Sequence, residues 1–147
     1  MCGIVAVLGA PDDRLVPDML ERIRHRGPDG QGILYVGQAM LGHVRLAILD
    51  LATGIQPMAN EQGDLAVAFN GEIYNHLEIK RELESRGHLF CSRADSEVLL
   101  HALDEWDIEV INRLNGMFAF AWYNTVSRVL TLARDHAGIK PLYYAIA

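Results

Sequence analysis

The chain opens on a run that leaves little choice of structure. From Cys2 to Leu8 every side chain is apolar or, at Gly3, absent, and Ile4, Val5 and Val7 are β-branched. A continuous apolar run of this length and composition is a strand covered on both faces, because a half-solvated strand would alternate with polar residues. Residues 2–8 are therefore expected to form an interior strand, and the remaining chain has to supply a layer on each side of it. With 147 residues, half of them hydrophobic, there is enough chain for one domain with a real core.

The pattern then changes period. Leu15, Val16, Met19, Leu20 and Ile23 recur at helical intervals, with acidic residues ahead of them and arginines behind, as the helix dipole favours. Gly27-Pro28-Asp29-Gly30 stops that helix with turn chemistry. Strand-like pieces follow at residues 32–36, 40–45, 46–49 and 65–69, and Asn70-Gly71 reads as a tight hairpin turn. Residues 75–86 are predicted to be a helix capped by Asn75, with Glu78 at the capping-box position and Gly87 ending it. A further helix is expected over Asp95–Trp106, with Ser92 and Asp95 as its capping pair. Residues 117–123, 128–134 and 142–146 read as strands, the first two joined by a turn at 124–127. Helices segregated from clusters of strands imply an α+β layered fold.

Charge and cysteine content narrow the function. A net charge of −6, with basic residues gathered only around Arg22, Arg24, His25 and Arg26, argues against nucleic acid, which needs a broad positive surface. Two cysteines, Cys2 and Cys91, cannot make a disulfide framework, which fits a reducing cytoplasm. Cys91 is expected in the core. The apolar start is short, lacks a basic leader and meets Pro11-Asp12-Asp13 at once, so it does not read as a secretory signal. No apolar run reaches membrane-spanning length, and the six histidines show no metal-ligand spacing.

Position makes Cys2 a candidate nucleophile. Removal of Met1, which a small second residue permits, would put a thiol and a free α-amine on one residue. An α-amine titrates near 7.7–8.0 and can accept the thiol proton at neutral pH, so no separate histidine is needed. A small buried residue at a strand start is the competing reading.

The segments MCGIVAVLG, RHRGPDGQG, GHVRLAILD, GIQPM, FNGEIYN, ADSEVLL, NGMFAFAWYN and RDHAGIKPLYY together resemble the glutaminase domain of class II glutamine amidotransferases. Within that class HRGPDG, NGEIYN and GIKPLYY are similar to the asparagine synthetase family. The resemblance implies an N-terminal-nucleophile hydrolase fold, a four-layer αββα sandwich of antiparallel sheets. It also implies that residues 1–147 are a glutaminase domain incomplete at its C-terminal end, with the synthetase domain absent. Glutamine hydrolysis to glutamate and ammonia is then the expected reaction, through a Cys2 thioester.

Roles follow motif by motif from the resemblance. Cys2 matches the nucleophile, and Asn70 and Gly71 match the oxyanion hole, whose donors are each worth roughly 3–4 kcal/mol. Arg45 matches the clamp on the glutamine carboxylate, a role its planar fork suits. Asp95, with Glu72 beside it, matches the partner of the α-ammonium, and Leu46, Ala47, Ile48 and Leu49 line the pocket with Arg45. Arg26 and Gly27 belong to a motif near the nucleophile. Ala47 stands where many relatives have serine, and His136-Ala137 replaces the commoner Arg-Phe.

No ATP-pyrophosphatase loop and no Walker A pattern occurs, so no cofactor is expected in this chain; ATP and magnesium belong to a synthetase domain. The expected partners are L-glutamine and a synthetase domain in cis or on a separate chain, with a homodimer open. Two other readings fit less of the sequence. An N-terminal-nucleophile amidase for another substrate would not need both Arg45 and Asp95. A non-catalytic glutamine-binding module would leave Cys2 and Asn70-Gly71 idle.

Overall fold

The computed structural model describes residues 2–9, 12–46 and 55–146. Seven strands are present among them: β1 (Gly3–Leu8), β2 (Gly30–Val36), β3 (Ala39–Arg45), β4 (Met58–Ala59), β5 (Leu65–Ile73), β6 (Gly116–Asn124) and β7 (Val129–Arg134). Three α-helices accompany them: α1 (Leu15–Ile23), α2 (His76–Ser85) and α3 (Asp95–Trp106). The strands form two antiparallel sheets, ordered β1-β3-β2 and β4-β5-β6-β7.

The layers can be read from what each strand face touches. On β3, Met40 and Val44 pack with Val5 and with Val16 and Leu20 of α1, while Ala39 and Leu41 pack against Ala66, Ala68 and Ala121 of the other sheet. On β5 the alternation is the same: Ala66 and Ala68 face inward, whereas Leu65, Val67 and Phe69 join Leu99 and Leu103 of α3 and Ile79 and Leu83 of α2. The result is α1, sheet, sheet, then α2 with α3: an α+β four-layer sandwich with antiparallel sheets. Small residues on the two inner faces let the sheets approach, and the larger core lies between β5–β6 and the helices.

Several local expectations are corrected. Asn70-Gly71 is no hairpin; both residues lie inside β5, paired with Ala119 and Phe118. Glycine is there because β6 passes so close that a Cβ on Gly71 would sit 2.3 Å from the Met117 carbonyl oxygen. β1 is covered on both faces as expected, by α1 on one and by the second sheet on the other, and it lies at the edge of its own sheet among the described residues. Residues 142–146 form no strand: none among the described residues pairs with them, and Tyr143, Tyr144 and Ile146 are exposed. Residues 47–49 of the expected 46–49 strand lie outside the described residues, and Leu46 follows the end of β3.

The caps differ too. Asn75 stands at the N-terminus of α2, but its side chain accepts from Asn115 N at 2.9 Å and donates to Arg113 O at 2.9 Å, tying α2 to the loop before β6. Ser92 serves Glu97, whose carboxylate also accepts from the Cys91 and Ser92 amides at 2.7 Å each. That turn points Cys91 outward, so it is exposed rather than core. No helix among the described residues is long and apolar enough to cross a membrane.

Candidate active site

One end of the sandwich is closed by the β2–β3 turn, where Gln38 N donates to Tyr123 Oη and a Cβ on Gly37 would press on the Tyr123 ring. The opposite end carries the candidate residues. Strand alternation puts Arg45 on the inward face of β3 with Ala39 and Leu41, and places Cys2, just ahead of β1, in step with inward-facing Ile4 and Ala6. On β5 the same rule puts Asn70 and Glu72 inward with Ala66 and Ala68. Cys2 and Arg45 therefore come from one sheet, and Asn70 and Glu72 from the sheet facing it.

Cys2 is fixed from two sides. Its Sγ accepts from the Leu46 amide at 3.4 Å and lies 3.8 Å from the Leu46 carbonyl oxygen, while its own carbonyl accepts from Arg26 Nε at 3.2 Å. The thiol is half-buried. Gly27 lets this arrangement form, since a Cβ there would lie 2.4 Å from the Val44 carbonyl carbon. The chain then runs along the end of β3, with Pro28 bridged to Arg45 and Asp29 N donating to Arg45 O at 3.0 Å. The turn motif thus braces the strand end that presents Arg45.

Asn70 is 5% exposed, and no hydrogen bond among the described residues engages its side-chain amide. A buried amide with free donors facing the nucleophile's sheet is suited to receive a developing negative oxygen. At the other pole, Asp95 is the first residue of α3, and its Oδ2 accepts from Ile73 N at 3.0 Å. Burial pushes the Asp95 carboxyl above its ordinary value, and the Ile73 N–H and His76 offset only part of this. Glu72 is raised as well, by burial first and then by Asp95, against the opposing influence of Lys140 and His76. A carboxylate whose ionisation is opposed by a neighbouring carboxylate is suited to meet a cation.

Ala47, Ile48 and Leu49 lie outside the described residues, so the pocket wall they were expected to form is not described here. Leu46 is described, and it is the residue that holds Cys2.

Sequence reasoning passed over three residues. His43, one step inward of Arg45 on the same face, is 2% exposed with Nε2 unpartnered. Burial, aided by the Arg45 cation and opposed in part by the Phe69 backbone, lowers it to about 4, so the imidazole is neutral at physiological pH. Gln56 touches both sheets: its Oε1 accepts from Phe69 N of β5 at 2.7 Å, and its carbonyl oxygen lies where a Cβ on Gly32 of β2 would be. Lys140 is buried, 6% exposed. A lysine within the apolar GIKPLYY segment was the available signal.

The fold and this constellation define a class: an amidotransferase of the N-terminal-nucleophile kind, with a cysteine heading its first strand. The chain belongs to the glutamine amidotransferase domain family, whose model matches residues 1–147. It is 43% identical to an asparagine synthetase (glutamine-hydrolyzing) of Asparagus officinalis over 97% of this chain, and 41% identical to asparagine synthetase (glutamine-hydrolyzing) 1 of Bacillus subtilis over 98%. The chain spans about a quarter of the length of these relatives. Among solved structures, the glutamine phosphoribosylpyrophosphate amidotransferase of B. subtilis superposes on 95% of this chain and 38% of its own, with a TM-score of 0.74 at 24% identity, a likeness of fold.

Proposed function

We propose that this domain hydrolyses L-glutamine to glutamate and ammonia, and that the ammonia serves an asparagine-synthetase-type module in cis or on a separate chain. The observation that carries the reading is that the half-buried Cys2 and the buried Asn70 stand on the inward faces of the two opposed sheets, with no hydrogen bond to the Asn70 amide among the described residues. Once Met1 is removed, the Cys2 α-amine takes the thiol proton and Sγ attacks the side-chain carbonyl of glutamine. The oxygen of the tetrahedral adduct is met by the Asn70 amide and the Gly71 N–H. The proton passes to the departing nitrogen, ammonia leaves, and water cleaves the thioester to glutamate and free Cys2. Arg45 holds the α-carboxylate, Asp95 and Glu72 hold the α-ammonium, and Leu46 to Leu49 line the wall between them.

Residues 1–147 act as the glutaminase unit in this reading, and the unit itself takes no cofactor. The similarity to glutamine-hydrolysing asparagine synthetases supports both the substrate and the acceptor class. The test is alkylation by diazo-oxonorleucine with adduct mapping, alongside a glutamate-release assay on Met1-processed and Met1-retaining protein. Labelling at Cys2 that glutamine prevents, with release only from processed protein, is the expected result. Full activity with Met1 retained would overturn the mechanism. Labelling that glutamine does not prevent would point to another amide substrate.

A further inference from the structure

Along β5 the backbone N–H groups alternate between the two sides of the strand. Phe118, opposite Gly71 on β6, turns its own N–H and C=O away from β5: the N–H donates to Asp135 Oδ2 at 3.1 Å, and the C=O accepts from Asp135 N at 2.8 Å. Gly71 and Phe118 are therefore a pair without ladder bonds between them. The Gly71 N–H points instead to the other edge of β5, the one β4 lies along. Leu65, Val67, Phe69 and Ile73 present their N–H groups to the same edge by the same alternation.

β4 is too short to cover that edge. It pairs only with Ala66 and Val67, and side chains take over on either side of it. Leu65 N donates to Asn60 Oδ1 at 3.0 Å, Phe69 N to Gln56 Oε1 at 2.7 Å and Ile73 N to Asp95 Oδ2 at 3.0 Å. Between the last two anchors, Gly71 N has no acceptor among the described residues. Backbone donors in a folded chain are almost always paired, so an amide left open between two anchored ones is suited to receive an oxyanion.

Gln56 is the anchor that the proposed reaction does not use. It belongs to the GIQPM segment, two residues ahead of β4, and its own backbone is lodged against the facing sheet: a Cβ on Gly32 of β2 would lie 2.2 Å from the Gln56 carbonyl oxygen. With its backbone against one sheet and its side chain bonded to the other, Gln56 fixes Phe69, the residue just before Asn70. His43, buried on the inward face of β3, adds a hydrogen bond to the Phe69 backbone.

We propose that Gln56 is a positioning residue for the oxyanion hole: by taking the Phe69 N–H it pins β5 on one side of Gly71 as Asp95 does on the other, and so holds the Gly71 N–H open beside the Asn70 amide. This rests on the reading of Asn70 and Gly71 as the oxyanion donors. A glutamine that only closed a sheet edge would contribute to stability without touching turnover, and that contrast defines the test.

The full chain is compared with Gln56→Met, which keeps the length and loses the acceptor, and with Gln56→Glu, which keeps an acceptor oxygen. Should the Met variant not fold, Gln56→Asn, which withdraws the carbonyl by one methylene, is read in its place. The first readout, amide hydrogen exchange at Phe69 followed by NMR, needs no activity. Exchange is expected to quicken about tenfold or more in Gln56→Met and to stay slow in Gln56→Glu. The second is glutamate release, assayed well below the melting temperature of each protein. In Gln56→Met kcat should fall about tenfold, less than the roughly 10²–10³-fold of a deleted oxyanion donor, because the Gly71 N–H is misplaced rather than removed. KM for glutamine should stay within about twofold, since Arg45 and Asp95 are untouched. Unchanged exchange at Phe69, a lower Tm with kcat unchanged, or a loss confined to KM would each overturn the inference. Failure of the underlying reading looks different: Asn70→Ala would then leave kcat unchanged, while Phe69 exchange would still report on the Gln56 bond.

Discussion

Ile73 donates its backbone N–H to Asp95 Oδ2 at 3.0 Å, so the last residue of β5 is bonded to the first residue of α3. That bond sets a carboxylate from the helical layer beside Glu72, the neighbour of Ile73 on the strand. Neither residue is near the other in sequence. The acid that would otherwise serve as a helix cap instead anchors the helix to the strand bearing Asn70 and Gly71.

The Asp95→Asn variant separates binding from folding. Asparagine keeps an oxygen to accept from Ile73 N but loses the charge. KM for glutamine should rise tenfold or more, about 1.4–3 kcal/mol for a charge-assisted contact, with a smaller change in kcat. The effect on stability has the opposite sign. A carboxyl raised in the folded state supports stability fully only below its unfolded value, and that support is lost as pH rises through the folded pKa. At pH 7 Asp95→Asn should therefore melt no lower than the parent. Thermal denaturation at pH 4 and pH 7 beside glutaminase kinetics checks both; a drop in Tm with an unchanged KM would count against this account.

Gly71→Ala should be strongly destabilising. Its Cβ would meet the Met117 carbonyl oxygen at 2.3 Å and the Phe118 Cα at 2.7 Å, both backbone, so β5 and β6 would have to part. Overpacking of this kind costs about 1–3 kcal/mol, and here the top of that range or beyond is expected because no side chain can move aside. Chemical denaturation measures it. An alanine variant as stable as the parent would mean that the two strands do not approach this closely.

Asp135 gives a pH-dependent stability with the usual carboxylate sign. Burial pushes its carboxyl up, but the N–H groups of Lys140, Ile139, Phe118 and Ala137 more than offset this and hold it below the ordinary 3.8. Its contribution is present above the unfolded pKa and is lost as pH falls from about 4 toward the lower folded value. Asp135→Ala would strand buried donors at roughly 1–3 kcal/mol each, so a loss of about 3 kcal/mol or more at pH 7 is expected. The gap between variant and parent should narrow in acid. A gap that stays constant from pH 7 down to pH 3 would refute the ionised-acceptor role.

Cys2→Ala should abolish glutamate release while leaving the fold intact. The thiol is half-buried and its contacts to Leu46 are long, so the stability change should stay within about 1 kcal/mol. Circular dichroism and a melting curve provide the control, and measurable turnover by this variant would remove Cys2 from the mechanism.

Much of the molecule was legible as pattern. The period-3.6 spacing of Leu15 to Ile23 marked α1, and Val98, Leu99, Ala102 and Leu103 marked the buried face of α3. These succeed because one apolar face must be buried whatever the partner. The errors share a cause. Asn70-Gly71 has the composition of a turn, and 142–146 that of a strand, but pairing depends on what lies alongside. β6 takes in Gly71, whereas no described strand takes in Tyr143 and Tyr144. Asn75 and Asp95 have capping side chains, yet each found a tertiary partner whose bond replaced the local one, while Ser92 bonds locally to Glu97 and the Ala94 amide.

The sequence by itself determined the kinds of groups present and the family they belong to: a cysteine at position 2, an arginine in an apolar strand, an Asn-Gly pair and acids at 72 and 95. Local periodicity also determined which faces would be buried, because hydrophobic burial is indifferent to the identity of its partner. Only the tertiary structure decided that Cys2 and Arg45 face Asn70 and Glu72 across two sheets, that Asp95 is bonded to Ile73, and that Asp135 ties the Lys140 amide to Phe118 of β6. Those relations join residues tens of positions apart, and their geometry is set by close packing and by hydrogen bonds that no local window of sequence contains.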